Sequence, residues 1–249
     1  MTRVRFPGSA GAELAGVLEH PESEARAGIV LGHCFSCSKD HKTTTRLAKG
    51  LQAAGYAVLR FDVTGLGDSE GDFGTSTMAS GTEDVASAAV ALADLVPGPL
   101  VLVGHSLGGS ASLLAAPHLE RVAAVVTVNA PATPAHLRVH LPDVELRSRD
   151  DDTAQITLAG RTFTVRRGFL DDLEEHDQVG AVSRLGRPLL VVHGLEDRLV
   201  GVEEGERIFA AASHPKAFVT LADADHLLGD RRAVARVVAV IAGWLDATL

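Results

Sequence analysis

The residues of this chain best suited to chemistry are a serine between glycines and two downstream partners. The stretch VLVGHSLGGS contains Gly104-His105-Ser106-Leu107-Gly108, a G-x-S-x-G pattern. An apolar run precedes the serine and an apolar helical pattern follows it. That context predicts a serine on a tight strand-to-helix turn, with small residues two positions away on either side so that strand and helix can approach. The start of the helix directs backbone N–H groups and the positive end of its dipole to where an oxyanion would form. A serine hydroxyl is a weak nucleophile without a base. Asp197 in LLVVHGLEDRLV and His226 in LADADHLL each stand just past an apolar run of strand length.

A second constellation is GHCFSCSKDH, residues 32–41. It holds both cysteines, Cys34 and Cys37, in a C-x-x-C spacing flanked by His33 and His41. Four such side chains suggest a zinc site, which needs four converging ligands. A C-x-x-C pair also suggests a redox dithiol, although such pairs normally open a helix in a thioredoxin-like setting.

The elements that must position these groups are legible as alternating patterns. Near-continuous apolar runs at 28–34, 56–62, 99–106, 123–130, 188–194 and 217–221 suit strands buried on both faces of a parallel sheet. Helical patterns lie between them. Leu47, Leu51 and Ala54 stripe one helix, stopped by Gly55. Thr82, Glu83 and Asp84 are read as the opening of a helix carrying Val85, Ala89 and Leu92. Val234, Val237, Ile241 and Trp244 stripe the last. The alternation predicts an α/β fold with a doubly wound, mostly parallel sheet and helices on both faces. Parallel neighbours end at the same sheet edge, so the loops bearing Ser106, Asp197 and His226 can meet there.

One stretch breaks the rhythm. Residues 131–185 are too long for a plain crossover. Ile156, Leu158, Phe163 and Val165 alternate around Gly160 as a hairpin, and GFLDDLEEH follows as a short helix. This insertion is expected to form a lid on a single domain spanning 1–249. Phe163, Phe169 and Leu170 are its candidate pocket contacts, with Cys34 and His105 beside the serine.

Composition narrows the partners. The chain has 249 residues, 46% apolar and 22% charged, and a formal charge of −9. Such a balance disfavours nucleic acid, whose phosphates need a basic surface, and acidic membranes alike. The longest apolar run, 237–245, is too short to span a bilayer. No signal peptide is legible at the N-terminus, so the cytoplasm is the expected compartment. Its reducing conditions make a Cys34–Cys37 disulfide an unexpected feature.

Taken together, the nucleophile turn, HGLEDRLV, DADHLL and RFDVTGLGDSEGDF (60–73) resemble the α/β-hydrolase superfamily over essentially the whole chain. The HCFSCSKD frame is similar to the hydrolase half of bacterial OsmC-fused hydrolases, and more loosely the chain resembles cinnamoyl and feruloyl esterases. The resemblance implies a chain order of nucleophile, acid and base: Ser106, then Asp197 rather than its rivals Glu196 and Asp225, then His226. It implies oxyanion donors at Leu107 and Phe35, with each cysteine standing at a family glycine position. It implies no cofactor and no metal, and a small-molecule carboxylic ester as substrate. Thioesters, amides and acyl transfer, including peracid formation, remain open to the same site. A thiol-redox or zinc-binding role of Cys34 and Cys37 is the rival of another class. His33, His105 and His193 are expected to be structural.

Overall fold

The computed structural model describes residues 1–34, 37–140, 153–158 and 161–249. An eight-stranded sheet is built from β1 (Thr2–Pro7), β2 (Glu13–Glu19), β3 (Gly28–Gly32), β4 (Ala57–Phe61), β5 (Leu100–His105), β6 (Val122–Val128), β9 (Leu189–Gly194) and β10 (Lys216–Leu221). The spatial order is β1-β2-β4-β3-β5-β6-β9-β10. The pairs β1/β2 and β2/β4 are antiparallel. All other neighbours in the sheet are parallel.

The six expected parallel strands are present, with ends that differ by at most two residues from those expected; β6 and β10 each begin one residue earlier. The antiparallel pair β1 and β2 was not anticipated. β1 alternates exposed and buried positions and lies at the sheet edge, so it lacks the continuous apolar signal of the central strands.

The strand period of two divides the core. Val30, Leu59, Leu102, Val125 and Leu189 point to one face, where α2 (Met78–Leu95), α3 (Leu107–Ala115) and α6 (Val202–Ala211) cover them. Ile29, Leu31, Val58, Val101, Val103 and Val126 point to the other, under α1 (Lys42–Ala53) and α7 (Arg231–Asp246). In α7 the buried stripe is Val234, Val237, Ile241 and Leu245; Trp244 is only partly buried. The cap of α2 lies five residues earlier than expected, at Thr77 rather than Thr82. Thr77 caps the helix by accepting from Ser80 N, and Ser80 Oγ accepts from Thr77 N in return. Thr82 already lies inside the helix, its hydroxyl bonded back to Met78 O.

The insertion carries the expected hairpin, β7 (Thr153–Leu158) paired antiparallel with β8 (Arg161–Arg166). Its turn at Gly160 lies outside the described residues. Ile156, Phe163 and Val165 are buried against the main body. Two short helices follow, α4 (Arg167–Asp172) and α5 (Gln178–Ser183). Asp172 reaches across to cap α2, its Oδ2 accepting from Met78 N at 2.5 Å and Ala79 N at 3.4 Å. Among the described residues no helix is long and apolar enough to cross a membrane.

Candidate active site

The serine is placed by backbone geometry that few residues tolerate. Ser106 has φ 55° and ψ −126°, between the last residue of β5 and the first of α3. The turn closes only because its neighbours are glycines. A Cβ on Gly104 would lie 2.2 Å from Gly108 O, and one on Gly108 would lie 2.5 Å from His33 O. The strained turn raises Oγ at the carboxyl edge of the sheet.

Two further loops bring their groups to it. His226 Nδ1–H donates to Asp197 Oδ2 at 2.7 Å, which leaves Nε2 to accept from the Ser106 hydroxyl at 3.1 Å. Asp197 Oδ1 accepts from Leu199 N and Val200 N at 2.9 and 2.8 Å. Burial alone would raise the Asp197 carboxyl. The bond from His226, its charge and the two backbone N–H groups outweigh burial and hold it below the ordinary carboxylate range. The rival acids stand elsewhere: Glu196 is exposed, and Asp225 accepts from Gly229 N within its own turn.

The three histidines expected to be structural have bonds of that kind. His105 Nε2 donates to His226 O at 2.7 Å, and the two rings lie 5.3 Å apart. Burial, helped by the neighbouring His226, pushes His105 down to about 3. It is therefore a neutral prop behind His226. His193 Nε2 donates to Val200 O, steadying the acid loop, and burial lowers it too. His33 Nδ1 donates to Cys34 O.

Asn129, at the end of β6, escaped the sequence reading. Its Nδ2 donates to Asp225 O and His226 O, and its Oδ1 accepts from Gly194 N. One amide thereby joins the acid-bearing and histidine-bearing loops. The available signal was a polar residue closing an apolar strand in TVNAPA, at the edge where the site had to lie.

Cys34 and Cys37 are joined by a disulfide, which corrects the expectation of reduced thiols. Cys37 N donates to Cys34 O, and the two Cα atoms stand 5.3 Å apart, inside the window a disulfide requires. A compartment argument carries no information about that proximity. The zinc reading loses its ligands to other partners: the two sulfurs to each other, and His41 to capping α1 at Thr43 N. Among the described residues no group of three or more His, Cys, Asp or Glu side chains stands so as to hold a metal ion.

Leu107 opens α3, where the first N–H groups have no partner within the helix. Phe35, the other expected oxyanion donor, lies outside the described residues. Of the expected pocket contacts, Cys34 and Phe169 line a cavity beside Leu107. Phe163 packs against Phe73 of that wall with ring centroids 5.4 Å apart and the planes tilted by 52°, and Leu170 is buried in the core. His105 stands behind His226 rather than in a cavity.

A family model described as "Alpha/beta hydrolase family" matches residues 29–240. The chain belongs to that family. Among solved structures, this hydrolase is similar to the esterase domain of a Rhodothermus marinus protein. The two are 37% identical with a TM-score of 0.79, over 98% of this chain and 96% of that one. It shares its fold with Est1E of Butyrivibrio proteoclasticus, solved with ferulic acid bound (20% identity, TM-score 0.83, 98% and 99% covered). Among curated proteins it is similar to mouse ABHD10, a mitochondrial palmitoyl-protein thioesterase. That match is 26% identical over 78% of this chain and 67% of the mouse protein. The human counterpart matches at 29% over 60% of this chain and only 50% of its own length. This hydrolase thus has esterase and thioesterase-type relatives.

Proposed function

We propose that the chain is a serine hydrolase that cleaves carboxylic esters of small molecules through an acyl-enzyme intermediate. The observation that carries this reading is the continuous relay Ser106–His226–Asp197, with both bonds at hydrogen-bonding distance. Ser106 Oγ attacks the acyl carbon while His226 Nε2 takes its proton. Asp197 holds the ring and stabilises the imidazolium. The Leu107 N–H, with Phe35 as the second donor, receives the developing oxyanion. Collapse expels the alkoxide as His226 returns the proton to it. Water, deprotonated by the same nitrogen, then releases the acyl group as the acid. Residues 131–185 act as the lid over this edge. The same steps serve a thioester, a reading favoured by the resemblance to ABHD10; there the leaving group is a thiolate.

The test is hydrolysis of p-nitrophenyl and alkyl esters beside the matching acyl thioesters. Ser106→Ala and His226→Ala are expected to lower kcat by about 10⁴-fold or more, and Asp197→Asn somewhat less. Mass spectrometry should capture an acyl adduct on Ser106. Ester hydrolysis that survives in Ser106→Ala refutes the mechanism.

A further inference from the structure

Leu107 separates two cavities at the carboxyl edge. The smaller, about 30 Å³, is lined by Ser106, Leu107, His226, His136 and Val200 among others. The larger, about 70 Å³, starts at Leu107 and Gly108 and continues to Met78, Val85 and Phe169. Ser106 and His226 line only the first.

This asymmetry fixes the direction of a bound ester, given the serine-hydrolase reading above. The leaving oxygen must meet His226 Nε2 to receive its proton. The leaving group therefore occupies the smaller cavity. The rest of the substrate hangs from the same acyl carbon, and the larger cavity across Leu107 is the space left for it.

The chemistry of that space is also fixed. Four of its polar residues, Ser76, Thr77, Ser80 and Asp84, have their side-chain groups bonded within the protein. Ser76 Oγ donates to Thr64 O. Thr77 and Ser80 bond each other in the capping exchange. Asp84 accepts from Ser9 N, Thr64 N and Thr64 Oγ1. The wall facing the cavity is then supplied by Phe73, Met78, Val85, Ala111 and Phe169. A charged or hydroxylated acyl group placed there would surrender its water without replacement. An apolar one gains by leaving water. The length is bounded as well. A water-sized group needs roughly 10–15 Å³ of such space, so the cavity holds about five to seven of them. The first turn of α2, pinned by Asp172, forms part of its wall.

We propose that this cavity is the acyl subsite, and that it selects apolar acyl groups of about four to eight carbons while excluding a palmitoyl chain. Gly81 is the position to probe. It lines the cavity from α2, and a Cβ built on it meets nothing within 4 Å. Leucine is also a better helix former than glycine, so Gly81→Leu narrows the space without disrupting the helix.

The experiment measures kcat/KM for p-nitrophenyl acetate, butyrate, hexanoate, octanoate and palmitate with the wild type and Gly81→Leu. It adds methyl and benzyl butyrate to vary the alcohol alone. The wild type is expected to peak between butyrate and octanoate and to fall at least 100-fold by palmitate. Gly81→Leu should lower the octanoate-to-acetate ratio at least tenfold while leaving the benzyl-to-methyl ratio within about twofold. An unchanged chain-length profile in the folded variant, palmitate as the best wild-type substrate, or a shift in alcohol preference instead overturns the assignment. If the wild type cleaves no ester or thioester, the hydrolase reading itself fails. The cavity is then judged by calorimetry with hexanoate: binding abolished by Gly81→Leu supports an apolar tail site, and equal or absent binding in both proteins overturns it.

Discussion

On one flank of Ser106, the loops after β5, β6, β9 and β10 are joined by neutral hydrogen bonds. His105 and Asn129 both donate to His226 O, and Asn129 also holds Gly194 N. On the other flank, the loop after β3 is joined to the loop after β4 by charge. Lys39 Nζ lies 2.8 Å from Asp62 and 2.6 Å from Asp68, and Lys39 N donates to Asp62 Oδ1. Arg60 completes the cluster with Glu19 and Asp40. Burial opposes the Lys39 charge, but Asp62, Asp68 and Asp40 together raise its ammonium above the usual range. The flank that moves protons in the proposed steps is braced by groups that do not titrate near neutrality. Charges there would compete with the field at His226. The flank carrying Cys34 and Lys39 moves no proton in the proposed steps and accommodates ions.

The sharpest way to break this contrast is to remove one ion. Asp62→Ala takes the buried carboxylate from the Lys39 ammonium and leaves the Lys39 and Asp68 N–H groups without their acceptor, and is expected to destabilise by about 3–5 kcal/mol. The shift of the urea midpoint at unchanged m measures it. Lys39→Met with Asp62→Leu should recover part of the loss, because both charges go together. A single variant as stable as wild type would show that the cluster does not clamp the loop.

The neutral flank should respond less in stability and more in catalysis. Asn129→Ala leaves Gly194 N and Asp225 O unsatisfied, while His226 O keeps His105. The expected loss is about 1–3 kcal/mol, with kcat falling further than KM changes. A fall in stability with kcat intact would reduce Asn129 to a fold residue.

The smallest effect is a slope. The unfolded chain binds a proton on His105 near pH 6.5, whereas in the folded protein its pKa is about 3. The stability from keeping this ring neutral is therefore complete above pH 6.5 and is lost as pH falls through that window. The loss contributes up to about 1.4 kcal/mol per pH unit. His105→Gln should flatten urea stability between pH 6 and 4.5 by up to one proton's worth, leaving the share due to His193. Parallel slopes in both proteins would assign the acid sensitivity to other groups.

The two flanks also differed in how far the sequence disclosed them. Ser106, Asp197 and His226 stand at strand ends in a pattern that local chemistry and family order both mark, and the relay joins those three. Asn129 was hidden because its role depends on two loops about 65 and 96 residues away meeting at one amide. The ion cluster was hidden for the same reason: Lys39, Arg60 and Asp62 are unremarkable until β3 and β4 lie side by side. The disulfide was misjudged because the expectation rested on a reducing compartment and on loop strain, while the 5.3 Å between the two Cα atoms is not legible in the sequence. The start of α2 was placed at Thr82 for its acidic neighbours, and Thr77 gave no comparable signal because its Thr–Ser exchange lacks the usual Glu or Gln at the third position. The hairpin at 153–166 was legible from its alternation, but its seat against Phe73 was not.

The cap that Asp172 places on α2 has a consequence for how the molecule opens. The first amides of a helix ordinarily trade their hydrogens with water quickly, since nothing within the helix shields them. Here the amides of Met78 and Ala79 are shielded by a carboxylate more than ninety positions later in the chain. Their exchange cannot follow the fraying of α2 alone; it must wait for α4 to lift. These two amides therefore act as a clock for the undocking of the insertion, separate from the clock of the helix that contains them.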